Sequence, residues 1–113
     1  MKKSLKRNSI KDDAERLNEI VQLYKKACIY ADLYDKKVYV INDKTDEDKI
    51  KKYHNFKIMF ESFLNTLEED EKLIIKNDFY ERVHENWWIG LYSRSTYYRI
   101  KNRAIKKMLF YYE

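Results

Sequence analysis

Ala14, Leu17, Val21, Tyr24, Cys28 and Ala31 follow one another at alternating intervals of three and four residues, the spacing that lines one face of an α-helix with apolar side chains. Ile20, Ala27 and Tyr34 widen that stripe, and the pattern predicts a helix over residues 12–34. VYVI, Val38 to Ile41, is β-branched and aromatic but has no partner strand, so it reads as a short extended linker or a helical continuation. Thr45 with Asp48 three places on resembles a capping box and predicts a second helix. The apolar face of that helix, Ile50, Tyr53, Phe56, Phe60, Phe63 and Leu64, runs to about Asn65, where Asn65 or Thr66 can end it and cap the next.

A third helix is expected in LEEDEKLIIKNDFY, with Leu67, Leu73, Ile74 and Phe79 facing inward. The acids Glu68 to Glu71 should favour its N-terminal dipole and stay in water. A short amphipathic piece around Glu85 to Ile89 then meets Gly90-Leu91-Tyr92. Beyond Ser93, the residues Tyr97, Ile100, Ala104, Met108 and Tyr111 resume helical spacing. The expected order is helix, tight turn, N-cap, helix, with Trp87 and Trp88 either wedged between the helices or exposed as a partner anchor.

Composition narrows the fold class further. One glycine and no proline in 113 residues leave little material for hairpins or phosphate-cradling loops, so the chain is expected to be all-α, a helical domain with a C-terminal helix-turn-helix. No apolar stretch is long enough to span a bilayer, and the basic start is followed by charges, so a soluble cytoplasmic protein without membrane contact is expected. Cys28 is the only cysteine, and His54 and His84 stand in no metal-ligand or catalytic spacing; no enzyme activity, metal or cofactor is anticipated.

Charge divides the chain into three. Residues 1–11 hold five cations and no acid, residues 12–86 hold 13 basic and 18 acidic side chains, and from Trp87 onward six cations face Glu113 alone. The expected organisation is a basic flexible tail at 1–11, a helical region for dimerisation or partner contact at 12–65, and a DNA-binding helix-turn-helix at 66–113. A basic, aromatic, helix-patterned segment is the electrostatic footprint of nucleic-acid binding. If Ser93 caps the last helix, Tyr97 and Ile100 face the core, while Arg94, Ser95, Tyr98, Arg99 and Asn102 face away. Arg can bind guanine bidentately, Asn can pair with adenine, and Ser, Tyr and helix-start N–H groups can hold phosphates. Arg103, Lys106 and Lys107 can add contacts to the DNA backbone.

The stretch from Leu67 to Leu109 resembles the fourth conserved region of bacterial sigma factors and the related phage-type late-gene transcription regulators. Ser93, Thr96, Tyr97, Arg99, Ala104 and Leu109 match its closing pattern, and the doubled tryptophan with YSRSTYYR is similar to small sigma-like regulators of mycoplasma-type bacteria. Two positions depart: Leu91 stands where the turn glycine is usual, and Trp87 where a small residue often packs. Residues 1–60 do not match the promoter-melting sigma region. The resemblance implies a sequence-specific transcription regulator reading double-stranded DNA with the helix that starts at Ser93. Its N-terminal helices would contact RNA polymerase or form a homodimer. The alternatives are a helical protein-interaction module and a viral-type small DNA-packaging subunit; RNA binding through stacked tyrosines is weaker, because the tyrosines follow core positions.

Overall fold

The computed structural model describes residues 10–36 and 44–112 of the chain. The protein is all-α. Its helices are α1 (Ile10–Lys36), α2 (Lys44–Asn65), α3 (Glu69–Ile75), continued by a π-helical turn at Lys76–Tyr80, and α4 (Arg94–Phe110). Among the described residues there is no strand and no helix long and apolar enough to cross a membrane. VYVI and residues 1–9 of the expected tail lie outside the described residues, whereas Ile10 and Lys11 already belong to α1.

The stripe read from the first helix is the one buried. Leu17, Val21, Ala27 and Ala31 are buried, with Ala14, Ile20 and Tyr24 packed beside the core. α2 runs against α1, with Ile50 and Phe60 buried and Tyr24 stacked on Phe60 at 4.2 Å between ring centroids. The Tyr24 hydroxyl donates to Glu61 at 2.6 Å. Burial and this carboxylate together push its pKa well above the ordinary phenol value.

Two capping expectations are corrected. α2 already starts at Lys44, so Thr45 lies inside the first turn. Neither Asn65 nor Thr66 caps α3: the Thr66 hydroxyl turns back to donate to the Phe63 carbonyl at 2.6 Å, and the N-cap is Glu68, whose backbone N–H donates to Glu71 at 2.8 Å. With two residues between Thr66 and α3, the side chain of Thr66 closes the preceding helix instead.

One core joins both halves of the chain. Leu17 and Val21 of α1, Phe60 of α2, Leu67, Ile75 and Phe79 around α3, and Ala104, Ile105, Met108 and Leu109 of α4 form a single buried cluster. The Tyr112 hydroxyl is enclosed there with no hydrogen-bond partner among the described residues, and burial pushes its pKa up to about 12. Tyr112→Phe is therefore expected to raise stability by about 1 kcal/mol, since an unpaired buried hydroxyl costs desolvation energy. Urea titration reads this as a higher midpoint; a lower midpoint would mean that the hydroxyl does find a partner.

Between the π-helical turn and α4 the chain makes hydrogen-bonded turns where a short helix was expected at Glu85 to Ile89. Trp87 N–H donates to the His84 carbonyl, Ile89 N–H to Asn86, and Leu91 and Tyr92 N–H both to Trp88. Side-chain contacts compete with the helix here: the Trp87 indole N–H donates to Asp78, the Trp88 indole N–H to the Glu85 carbonyl, and the Trp88 ring stacks on Tyr97. Two left-handed residues bound this stretch: Arg82 at φ 55° and Gly90 at φ 97°. Only Gly90 can take that conformation freely, and a Cβ there would meet nothing within 4 Å, so its role is conformational. At Arg82 the same conformation carries a strain of about 1–2 kcal/mol.

Candidate nucleic-acid interface

α4 begins as the sequence indicates. Ser93 is its N-cap in an extended conformation, accepting from Thr96 N–H at 3.2 Å, while its own hydroxyl donates to the Thr96 hydroxyl at 2.9 Å. This satisfies one of the donors that the first helical turn leaves open. Tyr97 and Ile100 are buried, at 3% and 6% exposure, against Ile74 of α3, with Trp87, Trp88 and Tyr92 around them. Both tryptophans thus wedge between α3 and α4: Trp88 stacks on Tyr97 at 4.5 Å, and Trp87 meets Tyr97 edge-on at 6.1 Å.

Two carboxylates fix this arrangement, and neither stands out in the sequence. Asp78, in the π-helical turn, accepts from the Trp87 indole N–H at 2.7 Å, from the Tyr97 hydroxyl and from Lys101 at 3.1 Å. Burial and the adjacent Asp78 push the Tyr97 pKa far above its ordinary value. Tyr92, by donating to Asp70 at 2.7 Å, ties the same turns to α3; burial, then this carboxylate, push its pKa up to about 12.

Glu71 corrects the expectation that all four acids of α3 stay in water. Glu68, Glu69 and Asp70 are exposed, but Glu71 is fully buried and accepts from Arg103 Nε at 2.7 Å and from Lys107 Nζ at 3.0 Å. Burial alone would raise its pKa; the Glu68 N–H and the two cations outweigh that and hold the carboxyl below its ordinary range.

These ties sort the residues anticipated on the DNA side of α4. Ser93, Arg94, Ser95, Tyr98, Arg99 and Lys106 are exposed. Arg94 lies over the Tyr98 ring at 5.6 Å, and Tyr98 in turn meets Trp88 edge-on, so the pair is held at the start of the helix. Asn102 is half-buried on the flank towards α1, where Asp13, Asn102, Ile105 and Lys106 line one crevice. Arg103 does not belong with the free set, because its guanidinium is committed to Glu71 and lies 4.0 Å from Glu68. Lys101 and Lys107 are likewise committed, to Asp78 and Glu71. Arg94, Arg99 and Lys106 are the α4 cations that form no ion pair among the described residues.

The resulting surface is the exposed side of a capped helix with no acid along its length. It can place arginines against base edges or phosphates, and it offers no nucleophile paired with a base. Comparison of the chain with protein-family models, curated proteins and solved structures finds no match.

Proposed function

We propose that this chain is a sequence-specific DNA-binding transcription regulator, similar to sigma region four, in which α4 lies in the major groove and α3 with its π-helical turn supports it from behind. The observation that carries the reading is the acid-free α4, capped by Ser93, with Arg94, Ser95, Tyr98 and Arg99 exposed on its first two turns and Tyr97 and Ile100 buried beneath them. Residues near the start of a recognition helix are those that reach base edges. Selection of binding sites from random duplex DNA, with and without RNA polymerase, tests it. Arg94→Ala and Arg99→Ala should each weaken binding to the selected site by about tenfold, about 1.4 kcal/mol, with the melting temperature unchanged. Selection that enriches no sequence, or variants that bind as the parent does, would remove the recognition-helix reading.

A second reading, a helical protein-interaction module contacting RNA polymerase or a second copy, is favoured by the exposed Ile29, Ile58 and Met59 on α1 and α2. Binding to polymerase in the absence of any duplex binding would select it.

A further inference from the structure

Protein interiors pack as densely as organic crystals and hold few voids larger than a water molecule, yet the junction of α1, α2 and α3 leaves a cleft of about 390 Å³ that the chain's own side chains do not fill. Val21, Phe60 and Ile75, all nearly inaccessible to water, lie at its base. Tyr24 and Tyr80 stand as walls, their ring centroids 5.9 Å apart, and Tyr24 also stacks on Phe60. The Tyr24 hydroxyl does not make this wall polar, because it donates to Glu61, which also holds Lys57 at 3.2 Å. The π-helical turn completes the rim. Closed by the Glu81 N–H on the Lys76 carbonyl at 2.7 Å, it brings Lys76, Tyr80 and Glu81 beside Lys72, which lies one turn earlier. Single π-helical turns of this kind occur frequently at functional sites.

We propose that this cleft is a binding site for a small amphipathic monocarboxylate, with its aliphatic tail against Phe60, Leu64 and Ile75 and its carboxylate between Lys72 and Lys76. The site is separate from the exposed face of α4 and stands whether or not the chain binds DNA. Size fits first. Small-molecule sites are clefts of about 300–1,000 Å³, mainly apolar with a few placed polar groups, and this one lies at the lower end, with room for a tail of medium length and not for a large ring system. Charge selects the head group. The lining holds two cations, Lys72 and Lys76, and one acid, Glu81, which leaves one positive charge in excess. Just outside, Lys25 over the Tyr80 ring and Glu69 beside Lys72 offset one another. A single excess charge matches a monoanion better than a phosphate dianion. Both lining lysines are paired only with exposed acids, Lys72 with Glu69 at 3.4 Å and Lys76 with Glu81 at 3.7 Å, and Glu69 is 91% exposed. Such surface pairs contribute little, so a carboxylate partly shielded by the apolar walls displaces them readily and gains charge-assisted hydrogen bonds.

Octanoate is the test ligand, titrated calorimetrically onto the full chain below its micellar concentration, with octanol and octylamine as ligands of the same tail and different heads. Octanoate is expected to bind and to raise the melting temperature as its concentration rises. Octanol should bind about tenfold more weakly, the change in affinity that one charge-assisted hydrogen bond brings, and octylamine more weakly still. Lys72→Gln with Lys76→Gln should bring octanoate to the level of octanol and leave octanol as in the parent. Leu64→Trp, which puts an indole into the cleft, should abolish binding of both with an unchanged circular dichroism spectrum. Amide shifts of the parent during the titration locate the ligand independently of any variant: changes centred on Val21, Leu64 and Lys76 support the site, and changes centred elsewhere overturn it. Failure of octanoate to bind, octanol or octylamine binding equally well, or a double variant that binds octanoate as the parent does would each overturn the proposal.

Discussion

Asp78→Ala is expected to lower stability by about 3–5 kcal/mol. The carboxylate is 11% exposed and receives the Trp87 indole N–H, the Tyr97 hydroxyl and Lys101. Removing it leaves a nearly inaccessible phenol and a half-buried indole without acceptors, each costing about 1–3 kcal/mol, together with a cation that has lost its partner. Small domains have only about 5–15 kcal/mol in total, so the loss is a large part of the whole. Asp78→Asn, which keeps one oxygen and the shape, should fall between. Thermal melts followed by far-ultraviolet circular dichroism and by tryptophan fluorescence give the answer. Because Asp78 joins the turns before α4 to α4 itself, fluorescence should report the change first. A variant that melts like the parent would show that the aromatic packing of Trp88 on Tyr97 holds the junction unaided.

Glu71→Ala should cost about 3 kcal/mol, at the lower end for a broken buried ion pair because Arg103 and Lys107 are each about 40% exposed and can regain water. The same residue sets an acid limit. Its folded-state pKa is depressed, so its contribution to stability is present above its ordinary value of 4.5 and is lost as pH falls through that value towards the lower folded one. The parent should weaken as pH falls through about 4.5, and Glu71→Gln should show a flatter profile there. Urea midpoints at pH 7, 5 and 4 test both points. Equal midpoints for the parent and Glu71→Ala at pH 7 would mean that the two cations are as well placed in water as against the carboxylate.

The parts of this fold that were legible in the sequence are those encoded by local period. The three-and-four spacing from Ala14 to Ala31 found α1, and Tyr97 and Ile100 fell on the buried side of α4 with Ser93 at its cap. What was not legible depends on partners remote in the chain. Glu71 sits in a run of four acids and looks like its neighbours; only Arg103 and Lys107, 32 and 36 residues away, make its burial tolerable. The tie of Arg103 to Glu71 was hidden for the same reason, since a cation on a helix that looks free cannot be told from one already held. Asp78 is hidden similarly, because its acceptors' partners at Trp87, Tyr97 and Lys101 converge only once the π-helical turn has reoriented the chain. The missing helix at Glu85 to Ile89 shows the limit of period itself: a single turn's worth of apolar pattern is equally satisfied by two anchored tryptophans.

The shared core places the first helix against the last, and this has a consequence for how the protein comes into being. During synthesis α1 emerges long before α4, and until then Leu17 and Val21 lack Ala104, Ile105, Met108 and Leu109, the residues of α4 in their cluster. Early contacts between α1 and α2 can form in order, but the stable state waits on a contact of long sequence separation, a slow step set by topology. A chain stopped before α4 thus exposes its unfinished core to chaperones and proteases. The packing of α1 on α4 makes the burial of the first helix depend on completion of α4.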